Sequence, residues 1–518
     1  MVIRFSLIAC SVLFSQTVDA DDSWWQFLGP QGNGHTNATN LPQTWSDTDN
    51  VKWRTAIHDR GWSSPVIAGQ HIWITTATAD GHKLFAVCVH KDSGRIVHDL
   101  HIFDVENPQK ITSANTYATP TPVVKDGRVI VHYGTYGTAC LDSGTGKELW
   151  RRRDLNCDHE ANAGPASSPT IVGTNVVVHV DGRDVQYIVA LDIETGKTAW
   201  KTTRSFDLAD VPVNQRKAYC MPGLAPRGNG VQLVSPAGQG VFSYDTDGNE
   251  LWKVRHKGWS CFPRPVAGHG MVFAIIDRDH PELWAIRGDG SGDVTDTHVA
   301  WKEKKSMPAR CTPLLIGDLL YLINRSGIAT CLEARTGELV WKERLPGEYS
   351  ATPIVARDRI YAFNEDAVCT VFRPGRQYDV IGTNSLRKQQ LLSTPAIDGD
   401  AFIIRTSGYL YRVQNGAQRK ETPNPAEEFI GQWDIGRPEG GGKPAFVMTL
   451  NADYSAGKSH VPSATGTWEL VDGEARVTWS DGWRDIIRRE GDHYRKVAFG
   501  VGKTFDSEPS NTDSADKQ

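Results

Sequence analysis

Residues Tyr187 to Trp200 read YIVALDIETGKTAW, and most of the chain is built from variants of this string. An alternating apolar run ends at Asp192, Gly196 follows four residues later, where a left-handed backbone costs least, and a second run closes on Trp200. The spacing predicts a β-hairpin with a large aromatic on its outgoing strand. The same grammar returns as CLDSGTGKELW from Cys140 to Trp150 and as CLEARTGELVW from Cys331 to Trp341. Looser copies run from Ser243 to Trp252 and from Cys88 to His98.

A second marker precedes each hairpin: a proline followed seven residues later by an apolar strand residue. It falls at Pro65, Pro122, Pro169, Pro226, Pro265, Pro313, Pro353 and Pro395. Eight repeats follow. Their spacing of roughly forty to sixty residues, with no helical apolar period inside any of them, suits a four-stranded propeller blade better than a helical solenoid. Small or hydroxylated residues precede most of these prolines (Ser63-Ser64, Ser167-Ser168, Cys311-Thr312, Ala351-Thr352, Ser393-Thr394), as crowding near a central axis would demand.

The eighth unit runs into a polar stretch around Thr422 to Pro425 without a partner hairpin. Its missing outer strand is therefore expected from the N-terminal segment Asn50 to Ile57, whose Trp53 fits the outgoing position, so that the ring closes and no sheet edge is left bare. The docking aromatics are then Trp53, Trp150, Trp200, Trp252, Trp301 and Trp341, with His98 and Val380 standing in for the other two. The expected fold is all-β: an eight-bladed propeller of four-stranded antiparallel blades over residues 61–423, with a lead-in and closing strand over 21–60. Beyond Pro425 the pattern changes to four to six short alternating strands, a small β domain over 426–506, and a polar tail over 507–518 reads as disordered.

Charge and leader narrow the function classes. A formal net charge of −5 offers no basic stripe for nucleic acid. The N-terminus, with Arg4, an apolar run from Phe5 to Phe14 and Val18-Asp19-Ala20, reads as a secretory signal over 1–20. Its run of about ten apolar residues is half the length a membrane span needs, so a periplasmic or extracellular chain is expected. Leu7-Ile8-Ala9-Cys10 looks like a lipoprotein box, but cleavage there would leave too short an apolar region, and lipidation at Cys10 is not expected.

The Ala-Leu-Asp-x-x-Thr-Gly-Lys-x-x-Trp string resembles the repeat of pyrroloquinoline-quinone (PQQ) propellers, a family that includes quinoprotein dehydrogenases and the barrel-assembly-machinery lipoprotein. The opening WWQFLGPQGNG from Trp24 to Gly34, with Leu41-Pro42 and Trp45 after it, is similar to the lead-in of exported proteins built from the same repeat. The resemblance implies an eight-bladed fold. Activity does not follow from it, because one architecture hosts unrelated functions. Carrying the dehydrogenase site over would require calcium ligands and a tryptophan beneath the quinone, for which Glu160 or Asn162 and Trp259 are the candidates. The vicinal cysteine pair of that family has no counterpart, since no two of the nine cysteines are adjacent.

Among those cysteines, Cys88, Cys140, Cys331 and Cys369 each stand six residues before a turn glycine, and their equivalence places them in different blades as small packed residues. Cys157, Cys220, Cys261 and Cys311 lie in segments leading to inner strands, where a Cys220–Cys261 bridge is conceivable. Those same segments hold Trp62, Tyr117, His159, Glu160 and Asn162, then Tyr219, Trp259, Arg264, Arg310 and Tyr349. They either line a pocket at one mouth of the channel or plug it and satisfy each other. Cys157-Asp158-His159-Glu160 supplies too few ligands for a metal site. The expected function is a binding or assembly scaffold of the cell envelope, with a protein partner or a polysaccharide as ligand and no resident cofactor. The alternatives are a quinoprotein dehydrogenase carrying PQQ and calcium, and a carbohydrate-binding protein that uses Trp468, Trp479 and Trp483.

Overall fold

A computed structural model describes residues 23–159, 163–386, 389–419, 425–438, 442–451, 454–471 and 473–518. The leader, Cys10, Glu160 and Asn162 lie outside them. Eight antiparallel four-stranded sheets stand around an axis, and a closed antiparallel barrel follows. Their innermost strands, blades 1 to 8 in order, are Val66–Ala68, Val123–Lys125, Thr170–Val172, Gly223–Arg227, Val266–Gly268, Leu314–Ile316, Ile354–Ala356 and Ala396–Asp398.

The repeat string builds each blade as its pattern requires. In blade 3, Ala190 faces Trp200 across the outer pair of strands, and Gly196 turns between them at φ 70°. The indole of Trp150, from the blade before, lies over that turn. A Cβ on Gly196 would sit 2.6 Å from it, so the position needs glycine twice over. Trp150 Nε1 also donates to the Ile193 carbonyl at 2.8 Å. Trp53, Trp200, Trp301 and Trp341 repeat the contact on Lys91, Thr246, Ala334 and Gly375, and His98 Nε2 lies 2.9 Å from the Gly144 carbonyl. Each outer-strand aromatic thus staples its blade to the hairpin of the next.

Two positions depart from this rule for identifiable reasons. Trp252 donates instead to Gln232 Oε1 in its own blade, and Gln232 passes the link to the Gly288 carbonyl of blade 5. The blade 5 hairpin is enlarged, and its Gly292–Asp293 strand lies parallel to Glu250–Arg255, taking the place where an indole would dock. Val380 is 44% exposed and does not stand in for an aromatic: the register gives the docking position to Gly382, opposite Val371 as Trp200 is opposite Ala190, so blade 7 carries no docking side chain. Its neighbour, blade 8, has no hairpin to cover, because the outermost strand there is Asp49–Ala56, paired antiparallel with Tyr409–Gln418. The N-terminal strand therefore closes the ring, and Trp53 staples blade 8 to blade 1 across the seam.

Near the axis, the residue before each inner-strand proline forms a hydrogen-bonded hoop. Backbone N–H groups donate from Ser64 to Thr121 Oγ1, Thr121 to Ser168 Oγ, Arg264 to Thr312 Oγ1, Thr312 to Thr352 Oγ1, Thr352 to Thr394 Oγ1 and Thr394 to Ser64 Oγ, all at 2.9–3.0 Å. The two remaining junctions cannot form this bond, because blade 4 presents Met221 and blade 5 presents Arg264, which lack hydroxyls. Blade 4 also corrects the repeat register. Its inner-strand proline is Pro222, whereas Pro226 lies within the strand Gly223–Arg227, which is longer than its equivalents.

The lead-in crosses the channel. Ile67 and Val124 donate to the carbonyls of Trp24 and Trp25, and Val355 donates to that of Gly34, so one short segment touches blades 1, 2 and 7. His35–Thr36 then adds a parallel strand beside Ile354–Ala356. Arg264 of blade 5, across the ring from blade 1, donates to the Phe27 carbonyl, so the same eleven residues span the channel. Trp24 is buried with Leu41 and Trp45 in the core between blades 7, 8 and 1.

Beside the seam, His58 is clamped by Asp59 at 2.8 Å and by Asp99 at 2.9 Å. Burial lowers its pKa, but the two carboxylate hydrogen bonds and their charge outweigh it and raise the value from 6.5 to about 9. A folded value above the unfolded one means that the stabilisation is whole below the unfolded value and fades as pH rises through the folded one. His58→Ala is therefore expected to cost stability at about pH 6 and much less at about pH 10, read from urea midpoints. An equal cost at both pH values would contradict the clamp.

The C-terminal domain has eight strands, more than the four to six expected, closed in sequence order into one barrel. The tail is ordered: Asn511–Lys517 is the last strand, paired with both His493–Phe499 and Gly431–Ile435. Its polarity has a cause, since Asp513 and Asn511 face the buried ammonium of Lys496. Trp468 and Trp479 are 3% and 2% exposed and belong to the barrel core, so they are not sugar platforms. Trp483 packs against that core, partly buried.

Candidate functional site

With the lead-in across the channel, a cavity of about 250 Å³ remains on the axis, and side chains from all eight blades line it. One side carries the hoop hydroxyls Ser64, Thr121, Ser168, Thr352 and Thr394 together with Asn115. The other side, over blades 4 to 6, carries Tyr219, Met221, Phe262, Arg278 and Arg310. Phe27 of the lead-in contributes to the wall. The aromatic and cationic arc coincides with the two junctions at which the hoop is broken.

Three of the expected mouth residues line this cavity: Trp62, Tyr219 and Arg310. Arg310 Nη1 donates to Ser350 Oγ at 2.7 Å and to Glu365 Oε1 at 3.0 Å. Trp259 stands behind the wall as a support. The guanidinium of Arg278 lies 3.7 Å from its ring centre while Nη1 donates to the Tyr219 hydroxyl at 2.9 Å, and Tyr219 in turn packs on Phe262. This stack orients Arg278 toward the cavity on a fixed aromatic bed.

The other described candidates do not meet there. Tyr349 is fully buried in the core of blades 6 and 7. Tyr117 donates to the Gln109 carbonyl and packs on Tyr136. His159 is buried and accepts from Lys217 Nζ at 2.8 Å through Nδ1; burial first, then the Lys217 charge, holds its pKa well below the ordinary 6.5, so it is neutral. Arg264 is a clasp rather than a ligand group. It donates to the Phe27 carbonyl and packs on Gly32, and burial lowers its pKa to about 10.

Phe262 stands three residues before its ring proline, as Trp62, Tyr219 and Arg310 do, so the repeat offset could have found it; Arg278, just beyond the strand Met271–Ile276, carries no such signal. Phe27 was hidden for another reason: nothing in a lead-in says that it turns inward. The eight cysteines from Cys88 to Cys369 are all free and buried, so Cys220 and Cys261 form no bridge. Their thiols instead lie against the Pro236 and Ala309 carbonyls.

Against known proteins, a family profile described as outer membrane protein assembly factor BamB matches residues 45–213 and 186–422. The chain belongs to that family. Comparison with curated proteins finds no match. Among solved structures, the quinohemoprotein alcohol dehydrogenase of Comamonas testosteroni is similar at 10% identity and TM-score 0.55, over 77% of this chain and 82% of that one. A europium-containing methanol dehydrogenase is similar at 12% identity and TM-score 0.52, over 74% and 88%. BamB of Moraxella catarrhalis gives 12% identity and TM-score 0.47, over 69% and 98%. At these identities the likeness to solved structures establishes the shared propeller and nothing about chemistry.

Among the described residues the cavity wall supplies no ligand set for a calcium–quinone pair; the candidates Glu160 and Asn162 lie outside them. Calcium takes six to eight oxygen ligands, carboxylates prominent among them, whereas no Asp or Glu lines the cavity among the described residues. No cluster of three potential metal-binding side chains occurs among them either.

Proposed function

We propose that the chain is an exported binding scaffold of the cell envelope, a rigid propeller whose axial cavity takes a ligand or a segment of a partner without redox chemistry. The observation that carries this reading is the cavity wall, rich in hydroxyl, aromatic and guanidinium groups and, among the described residues, without the carboxylates a cofactor metal would need. The leader-like N-terminus and the family described by outer-membrane assembly support an envelope location, and no helix among the described residues is long and apolar enough to cross a membrane. A closed ring of sheets and an inserted lead-in hold the wall in place, which lowers the ordering cost of binding.

The test is direct. Purified protein incubated with PQQ and calcium, then desalted, is expected to retain no quinone absorbance and to show no alcohol-dependent dye reduction. Stoichiometric quinone retained together with dye reduction would replace the scaffold reading with the dehydrogenase one.

A further inference from the structure

The C-terminal barrel meets the propeller at the seam, where a strand from the far end of the chain completes blade 8. We propose that the barrel is a latch on that seam: its leading turn holds the closing strand Asp49–Ala56 in the ring and, through the segment that follows this strand, sets the cavity wall at Trp62. The inference is independent of what the cavity binds.

The first argument is the position of Arg54. Neighbouring residues on a strand point to opposite faces, and the Trp53 indole is turned to Gly94 of blade 1, so Arg54 is turned the other way. There its guanidinium lies 4.6 Å from the ring centre of Tyr409, on the strand that pairs with its own, and forms an ion pair with Glu427 at the start of the barrel. The Arg54 side chain is 6% exposed. A guanidinium so far removed from water, between an aromatic face and a carboxylate, binds its partners more firmly than a surface ion pair does. The closing strand, the last propeller strand and the barrel therefore meet on one group.

The second argument is how the barrel holds Glu427. The short turn Pro425–Glu428 is fixed to the barrel from within: Ala426 and, just after it, Phe429 are buried in the barrel core, and Trp433 Nε1 donates to the Phe429 carbonyl at 2.7 Å. Lys517 of the last barrel strand donates to the carbonyls of Glu427 and Glu428 at 3.2 and 2.8 Å. Glu427 thus moves with the barrel, and a shift of the barrel is felt at Arg54.

The third argument is a second point of approach on the same seam. Tyr454 of the barrel packs on Trp468 with ring centres 5.1 Å apart. Burial pushes its hydroxyl up to about 12, and the charges of Tyr409 and Asp59 in the propeller add to the rise. Its backbone stands at φ 60°, a conformation that costs a bulky residue and persists where the surroundings impose it. Asp59 belongs to the His58 clamp that reaches Asp99 of blade 1, and three residues beyond it Trp62 lines the cavity. Both barrel groups face the seam, and the chain runs from there into the cavity wall.

The experiment is hydrogen exchange of the whole chain, compared between wild type, Glu427→Gln and Glu427→Arg. Loss of one charge-assisted contact is expected to raise exchange over 49–56 about tenfold in Glu427→Gln, and more in Glu427→Arg, where two cations face each other. A smaller rise is expected over 61–64, and none over Asn175–Asp181 in blade 3. Coupling is reciprocal, so Arg54→Gln, which leaves the barrel sequence intact, should raise exchange over 426–430. Wild-type exchange over 49–56 in both Glu427 variants, or a rise of equal size in blade 3, would overturn the latch, as would unchanged exchange over 426–430 in Arg54→Gln. Exchange that rises over 49–56 while 61–64 stays at the wild-type rate would overturn the link to the cavity wall.

Discussion

Gly32→Val is expected to lower the stability of the propeller by about 3 kcal/mol or more, the sum of overpacking and of a β-branched side chain in the left-handed region. Gly32 holds φ at 64°, and a Cβ there would lie 1.9 Å from Arg264 Nη1. The consequence is specific, because Arg264 is the clasp that ties the lead-in to blade 5. Adding Arg264→Ala to Gly32→Val should recover part of the loss by removing the atoms in the way, while the backbone strain persists. Denaturation midpoints of the two singles and the double form a cycle, and strict additivity would show that residues 24–34 do not press on Arg264. The same variant should disturb ligand binding, since Phe27 lines the cavity.

Trp53→Ala is expected to cost about 3–5 kcal/mol, the range for truncating a buried tryptophan, whereas Val380→Ala should change stability by about 0.5 kcal/mol or less. Trp53 holds the docking position of its outer strand, whereas Val380 stands two residues short of that position, at the place of Thr198 in blade 3. Trp53 is 7% exposed, and its indole covers Gly94 across the seam; Val380 is 44% exposed. Loss of Trp53 should also free the edge of Tyr409–Gln418, a bare strand that invites pairing between molecules. Hydrogen exchange over 409–418 and the dependence of melting on protein concentration would report this. A small effect at Trp53 would mean that the seam is held by backbone pairing alone.

The blades were legible because each repeat carries its own folding instructions. An Asp, a turn glycine and a tryptophan at fixed offsets specify a hairpin and the staple to its neighbour, and that information is local. Blade 4 misled the reading at Pro226, because its first hairpin is longer and only the axis shows that Pro222 stands in the ring. The final strand misled it for a related reason. Asn511–Lys517 has almost no apolar residue, and strand propensity in a barrel comes from pairing on both sides and from what faces inward, here the buried Lys496.

The site was less legible than the fold. Trp62, Tyr219 and Arg310 could be picked out as residues preceding inner strands, yet Tyr349, Tyr117, His159 and Arg264 occupy the same kind of segment and serve packing or the lead-in. Repeat number, hairpin chemistry, ring closure by the Trp53 strand and the burial of the repeat cysteines follow from residue pattern, because they depend on neighbours within one or two blades. Which side chains share the axial cavity, and that the eleven residues from Trp24 to Gly34 cross the channel and tie Phe27 into the cavity wall, depend on contacts between blades on opposite sides of a closed ring. No local pattern encodes such contacts, and only assembly of the whole disc creates them.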